Sequence, residues 1–250
     1  MGPAARKDPF YPDGAKIAKL TVLFELLLRL LCILVIQKIP VMTNKEYRES
    51  LIEAYVIKSN VKQSVFKNTA ETFLILKKVL RQLEKDYIAA LKEKIDDSAL
   101  PKYSEKGPFE MDFRVGEDLL LFSMHSNVFE FDNNHPVNKI PYVKEDPLRS
   151  YCGMIMIYNF LSDSFRYNRV NDLGYMIARV FINKDKHFFV EGKRQAGELV
   201  KDFSVDTISP GILREIVETA IEYTIQFDLL VPPYEQVKIE IGRASCRERV

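Results

Sequence analysis

Tryptophan is absent from the chain, and its 250 residues hold only three histidines, three cysteines and ten glycines. Each scarcity excludes something. No glycine loop that could cradle a phosphate occurs, no dinucleotide fingerprint, and no CxxC, HExxH or GxSxG motif. His125, His135 and His187 lie in three separate segments at no metal-ligand spacing, so neither a metal site nor a resident cofactor is expected. Of Cys32, Cys152 and Cys246, only Cys152 lies within the central sequence, in the apolar run YCGMIMIY. Such a thiol reads as a small buried hydrophobe rather than a nucleophile, and it has no partner for an internal disulfide. With no export signal, a reducing, cytoplasmic setting is expected.

Both ends differ from the middle. Glu240–Val250 (EIGRASCRERV) resembles the translation of a sequencing adapter, which places the natural end near Ile239. Residues 1–41 join a basic stretch to the leucine-rich run Leu20–Ile36, and at Met42 the character changes to MTNKEYRESLIEAY. There Thr43 or Asn44 is a helix cap with acids in the first turn, so Met42 reads as the start and 1–41 as mistranslated upstream sequence. Leu20–Ile36 is at the lower length limit for a membrane span. Its apolar residues contribute roughly −4 to −8 kcal/mol to insertion, and Glu25 and Arg29 cost roughly +5 to +7. A membrane anchor is therefore the third functional expectation. Of the formal charge of +1, residues 1–41 carry +3 and 241–250 carry +2, leaving −4 for residues 42–240. An acidic core argues against general nucleic-acid coating.

No proline or glycine occurs from 42 to 100. Within that stretch Phe66/Thr69, Phe73/Leu76, Leu80/Leu83 and Tyr87/Ala90 repeat as heptad a/d pairs, with Val65, Leu74, Leu91 and Ile95 widening the stripe. This predicts a helical arm over 42–95. It either folds back as a hairpin on a helix at 43–58 or pairs with a second chain as a dimeric coiled coil. Lys77, Lys78, Arg81 and Lys85 read as its solvated face.

Residues 96–108 read as a linker and 109–239 as an α+β domain. Phe109–Val115 alternates as a strand. Asp118–Met124 and Val128–Phe131 read as a hairpin across His125–Asn127, and 132–150 as a long loop with three prolines. Met154–Leu161 is a central strand or a buried helix, Ser164–Arg169 an alternating edge strand, and Tyr175–Ile182 with His187–Val190 a second hairpin. Ser209 caps a helix Pro210–Leu229 whose apolar stripe packs on the sheet. The fold class is α+β: an antiparallel sheet, a C-terminal packing helix, and a long N-terminal helical hairpin or coiled-coil arm.

Two sites stand out. Phe188-Phe189-Val190-Glu191-Gly192-Lys193 resembles half of the PD-(D/E)xK nuclease motif, with Asp172 as the earlier carboxylate and Asn171 where that family has proline. The resemblance implies catalysis by Asp172, Glu191 and Lys193 with Mg²⁺ or Mn²⁺. Geometry counts against it. With 183–186 as the turn, Glu191 faces Ala178, and Asp172 lies about 20 Å further along. The second site interleaves Arg166, Tyr167 and Arg169, with Arg194 following, a set suited to phosphate, base or carboxylate.

The stretches YCGMIMIYNFLSDSFRYNR, HFFVEGKRQ and FDLLVPPYEQVK resemble a conserved family of hypothetical Bacteroidota proteins, over about residues 42–238. That resemblance implies a bacterial cytoplasmic origin and transfers no site residues. The function expected is a non-catalytic, homodimeric module binding a small ligand or protein partner. The alternative is the metal-dependent nuclease.

Overall fold

The computed structural model describes residues 43–192 and 202–226. Lys193, Arg194 and Leu20–Ile36 lie outside them. The chain divides into two compact units, Met1–Val56 and Ile57–Val250.

Helix α1 spans Asn44–Leu91. Its start is a reciprocal cap: the Glu46 amide donates to Thr43 Oγ1 (3.3 Å) and the Thr43 amide donates to Glu46 Oε2 (2.7 Å). The Thr43 amide, and then its hydroxyl donating to the same Oε2 at 2.9 Å, hold the Glu46 carboxyl below its ordinary value. The first unit contributes the opening turns, on which Tyr47, Leu51, Ile52 and Tyr55 are exposed. The hairpin expected between 43–58 and 60–95 does not form, because 44–91 is one helix.

In the second unit, seven strands form one sheet: β1 (Lys102–Gly107), β2 (Glu110–Val115), β3 (Asp118–Met124), β4 (Phe129–Glu130), β5 (Tyr151–Leu161), β6 (Tyr175–Asn183) and β7 (Phe188–Gly192). The order is β1-β2-β3-β5-β6-β7, all antiparallel, with β4 also paired to β5. Residues 102–107, expected within a linker, form one of the two edge strands. The expected β3–β4 hairpin is also replaced. The tight turn lies one connection earlier, at Gly116–Glu117 between Val115 and Asp118, where Gly116 has φ +60°. After β3 the chain returns to β5 itself, pairing Phe129 with Cys152.

One sheet face carries the main core. Phe73, Leu76, Leu80 and Leu83 of α1 and Leu213, Ile216, Val217 and Ile221 of α4 (Pro210–Ile225) are buried with Phe113, Leu120, Phe122, Ile155, Ile157, Val180 and Phe188. Much of the predicted heptad seam is therefore buried against the chain's own sheet, while Leu74 points to solvent. A period of seven residues marks an apolar stripe but does not name the surface that covers it. Lys77, expected on the solvated face, is buried with its ammonium on Glu105 (3.0 Å) and the Gly107 carbonyl (3.3 Å). Ser209 caps α4 as expected, accepting from the Ile212 amide.

The other face is covered by the 131–150 connection, which contains α2 (Pro141–Glu145), and by Phe203. Cys152 is fully buried there, and burial pushes its thiol up. Asn68 ties α1 to the β6–β7 turn by donating to the carbonyls of Asn183 (3.1 Å) and Lys184 (2.7 Å).

Candidate functional site

Strand register decides which polar side chains share a face at the end of the sheet. In antiparallel pairing, residues directly opposite share a face. Asn159 stands opposite Leu120 of β3 and Tyr175 of β6, and Asp118, two residues before Leu120, joins the same row. A bulge sets this up. Ile157 pairs with Ala178 but Tyr158 pairs with Met176, so Ile177 is the extra residue, and both Ile177 and Ala178 are buried in the core. Without it, Tyr175 would face the opposite side of the sheet.

Between β5 and β6 the chain forms α3 (Ser162–Arg166) and a coil, not the alternating strand expected over 164–169. Ser164 is buried, and its hydroxyl donates to Asp172 Oδ2 at 2.7 Å. Its carbonyl accepts from the Arg169 amide at 2.8 Å. Phe165 packs edge-on against Phe160, ring centroids 5.2 Å apart. Asn168 takes the left-handed conformation at φ +49°, which asparagine tolerates better than most residues.

This loop and the row Asp118–Asn159–Tyr175 enclose a cavity of about 410 Å³, also lined by Phe160, Leu161, Arg169, Asn171, Asp172 and Leu173. Asn159 is 2 % exposed. Its Nδ2 donates to Asp118 Oδ1 at 3.0 Å, and its Oδ1 is buried without a donor among the described residues. A buried acceptor left in that state costs about 1–3 kcal/mol, so such sites invite water or a ligand N–H. At the rim, the Arg169 guanidinium lies 5.4 Å from the Tyr167 ring centre, as does that of Arg166 on the same ring. Arg169 makes no ion pair among the described residues.

The expected arginine–aromatic set is thus partly assembled. Arg166, Tyr167 and Arg169 meet, though only Arg169 lines the cavity. Asp172 joins it there. Of the nuclease set, Asp172 and Glu191 are not brought together. Glu191 pairs across the hairpin with Arg179, not Ala178, and the two form an ion pair. That places it four residues, about 14 Å, along β6 from Tyr175 and beside a separate, apolar cavity with His135 and Phe203. The one-residue difference arises because the turn starts at Asn183 but closes only at His187, whose carbonyl accepts from the Asn183 amide. It also regroups the faces: Ala178, Val180 and Ile182 stand opposite Gly192, Val190 and Phe188 rather than Glu191, Phe189 and His187. No group of three or more His, Cys, Asp or Glu side chains suited to a metal occurs among the described residues.

Asp118, Asn159 and Tyr175 escaped the reading of the sequence. Asn159 had a signal, being an amide side chain within an otherwise mostly apolar strand. The other two depend on register and the bulge. No family model, curated protein or solved structure matches the chain. No helix among the described residues is long and apolar enough to cross a membrane.

Proposed function

We propose that the second unit is a non-catalytic binding module for a small polar ligand, held in the cavity between β3, β5, β6 and the α3 loop. The observation that carries this reading is that one cavity is lined both by Asn159, whose buried Oδ1 has no donor among the described residues, and by Arg169, which makes no ion pair among them. Rigid strands supply the floor and a cross-tied loop supplies the rim, an arrangement common to binding sites. The nuclease reading is disfavoured because Asp172 and Glu191 line different cavities. The test is thermal unfolding of the full chain with panels of small carboxylates, phosphates, amines and amino acids, beside Arg169→Ala. A ligand at about a hundred times its Kd adds about 2.7 kcal/mol, or roughly 5–10 °C in a domain of this size. One class should raise Tm in the parent and less in the variant. If no class raises it, the reading falls.

A second reading, self-association, is supported by the exposed Tyr47, Leu51, Ile52 and Tyr55 in the first turns of α1. The buried heptad side chains of residues 69–83 do not offer a seam. Sedimentation should give a dimer that Leu51→Glu reduces to monomer; a monomeric parent removes this reading.

A further inference from the structure

We infer that the ligand of this cavity is a small zwitterion of the amino-acid class, with an aliphatic stem; the inference rests on the binding reading above. Arg169 and Asp172 carry opposite charges, stand three residues apart on one loop, line the same cavity, and form no ion pair with each other. They are held, not merely solvated. Asp172 Oδ2 is committed to the hydroxyl of buried Ser164, which leaves Oδ1 for another donor. Arg169 is fixed through its backbone by Ser164 and lies against the Tyr167 ring. A ligand of either single charge would be attracted by one of these groups and repelled by the other. A ligand carrying both charges satisfies both.

The floor adds a polarity. Because Asn159 Nδ2 is committed to Asp118, the amide's other polar atom is an acceptor, Oδ1, buried just under the floor and without a donor among the described residues. An ammonium group suits this acceptor together with Asp172, and a carboxylate suits the planar fork of Arg169. Phe160, Leu173 and Tyr175 supply apolar wall for a stem. The cavity, about 410 Å³, lies at the small end of ligand pockets, in keeping with a single amino acid.

The experiment uses the full chain with three probes: L-leucine, isoamylamine (leucine without its carboxylate) and isocaproate (leucine without its amine). Affinities come from titration calorimetry and Tm shifts. L-leucine should bind, with each one-ended probe weaker by roughly tenfold or more, the usual loss with one charge-assisted hydrogen bond. Arg169→Ala should erase the preference over isoamylamine, and Asp172→Asn the preference over isocaproate. Both positions are exposed, so the variants are expected to fold. A one-ended probe binding as tightly as leucine overturns the zwitterion and leaves the binding module standing. The same holds if leucine fails while a phosphate or other class raises Tm through Arg169. If no class binds, both fall.

Discussion

Helix α1 approaches the sheet closely at Gly153. A Cβ placed there would stand 2.0 Å from Thr69 Oγ1, 2.8 Å from its Cβ and 2.9 Å from its Cγ2. Thr69 is fully buried and cannot swing aside freely, because its hydroxyl donates to the Val65 carbonyl at 2.8 Å. Gly153→Ala should therefore force α1 away from β5. Overpacking of this kind costs about 1–3 kcal/mol, and replacing glycine in a strand recovers about 0.5–1 kcal/mol. A net loss of about 1–2 kcal/mol lowers Tm by roughly 2–8 °C. Thr69→Ala alone removes a buried methyl group and costs about 1 kcal/mol. In the double variant the new methyl group enters the space that Thr69 vacates, so the pair should be less damaging than the sum by about 1 kcal/mol. Urea unfolding followed by circular dichroism measures all four proteins. Additive losses would refute the claim that Gly153 and Thr69 are in close contact.

Asn68→Ala should cost about 1–3 kcal/mol, since it removes the donor to two turn carbonyls, and should raise amide exchange at 183–187 first. Exchange raised uniformly instead would mean that the bond does not anchor the turn. The ammonium of Lys77, then the hydroxyl of Tyr103, hold the Glu105 carboxyl below its ordinary 4.5. Its contribution to stability is present above pH 4.5 and is lost as pH falls through the lower folded value. Glu105→Gln should flatten that acid limb in Tm measured against pH, and an unchanged limb would contradict the ion pair. Burial pushes Tyr103, Tyr142 and Tyr151 up from 10.0 to about 12. Stability from the neutral phenols is complete below pH 10.0 and lost as pH rises toward about 12, so the chain should unfold in that window. Phenol absorbance titrating at ordinary values before unfolding would refute it.

Local chemistry in this chain is legible where one element suffices. The Thr43 box, the Ser209–Pro210 start of α4 and the 175–190 hairpin all follow from residues within a few positions of each other. What escapes is whatever depends on a partner elsewhere in the chain. The heptad over 66–90 is real, but its apolar stripe is satisfied equally by a second helix or by a sheet, and only the sheet's own stripe decides. Lys77 reads as solvated until Glu105 and Gly107 arrive from β1. The Glu191 motif depends on a register that one extra turn residue shifts, exchanging its neighbour from Ala178 to Arg179. In the cavity, Arg169 and Asp172 are visible as chemistry. Asp118 and Tyr175 come to share a sheet face only through the bulge at Ile177.

That dependence makes Gly174 the position where fold and site separate. A Cβ there would stand 2.2 Å from Cε1 and Cζ of Phe160 and 2.7 Å from Cδ1. Phe160 both lines the cavity and holds Phe165 of the loop. Gly174→Ala should therefore turn the Phe160 ring and move the α3 loop. Unlike Gly153, Gly174 adjoins an exposed loop that can yield, so the loss should stay near the low end of overpacking, about 1 kcal/mol. Ring resonances of Phe160 and Phe165 should shift while those of Phe73 and Phe113 in the main core do not. Ligand-induced Tm shifts should shrink much more than Tm itself. If Gly174→Ala leaves the Phe160 ring unmoved and the ligand response intact, the loop is not positioned by this contact. If instead it unfolds the chain, the cavity is not separable from the core beneath it.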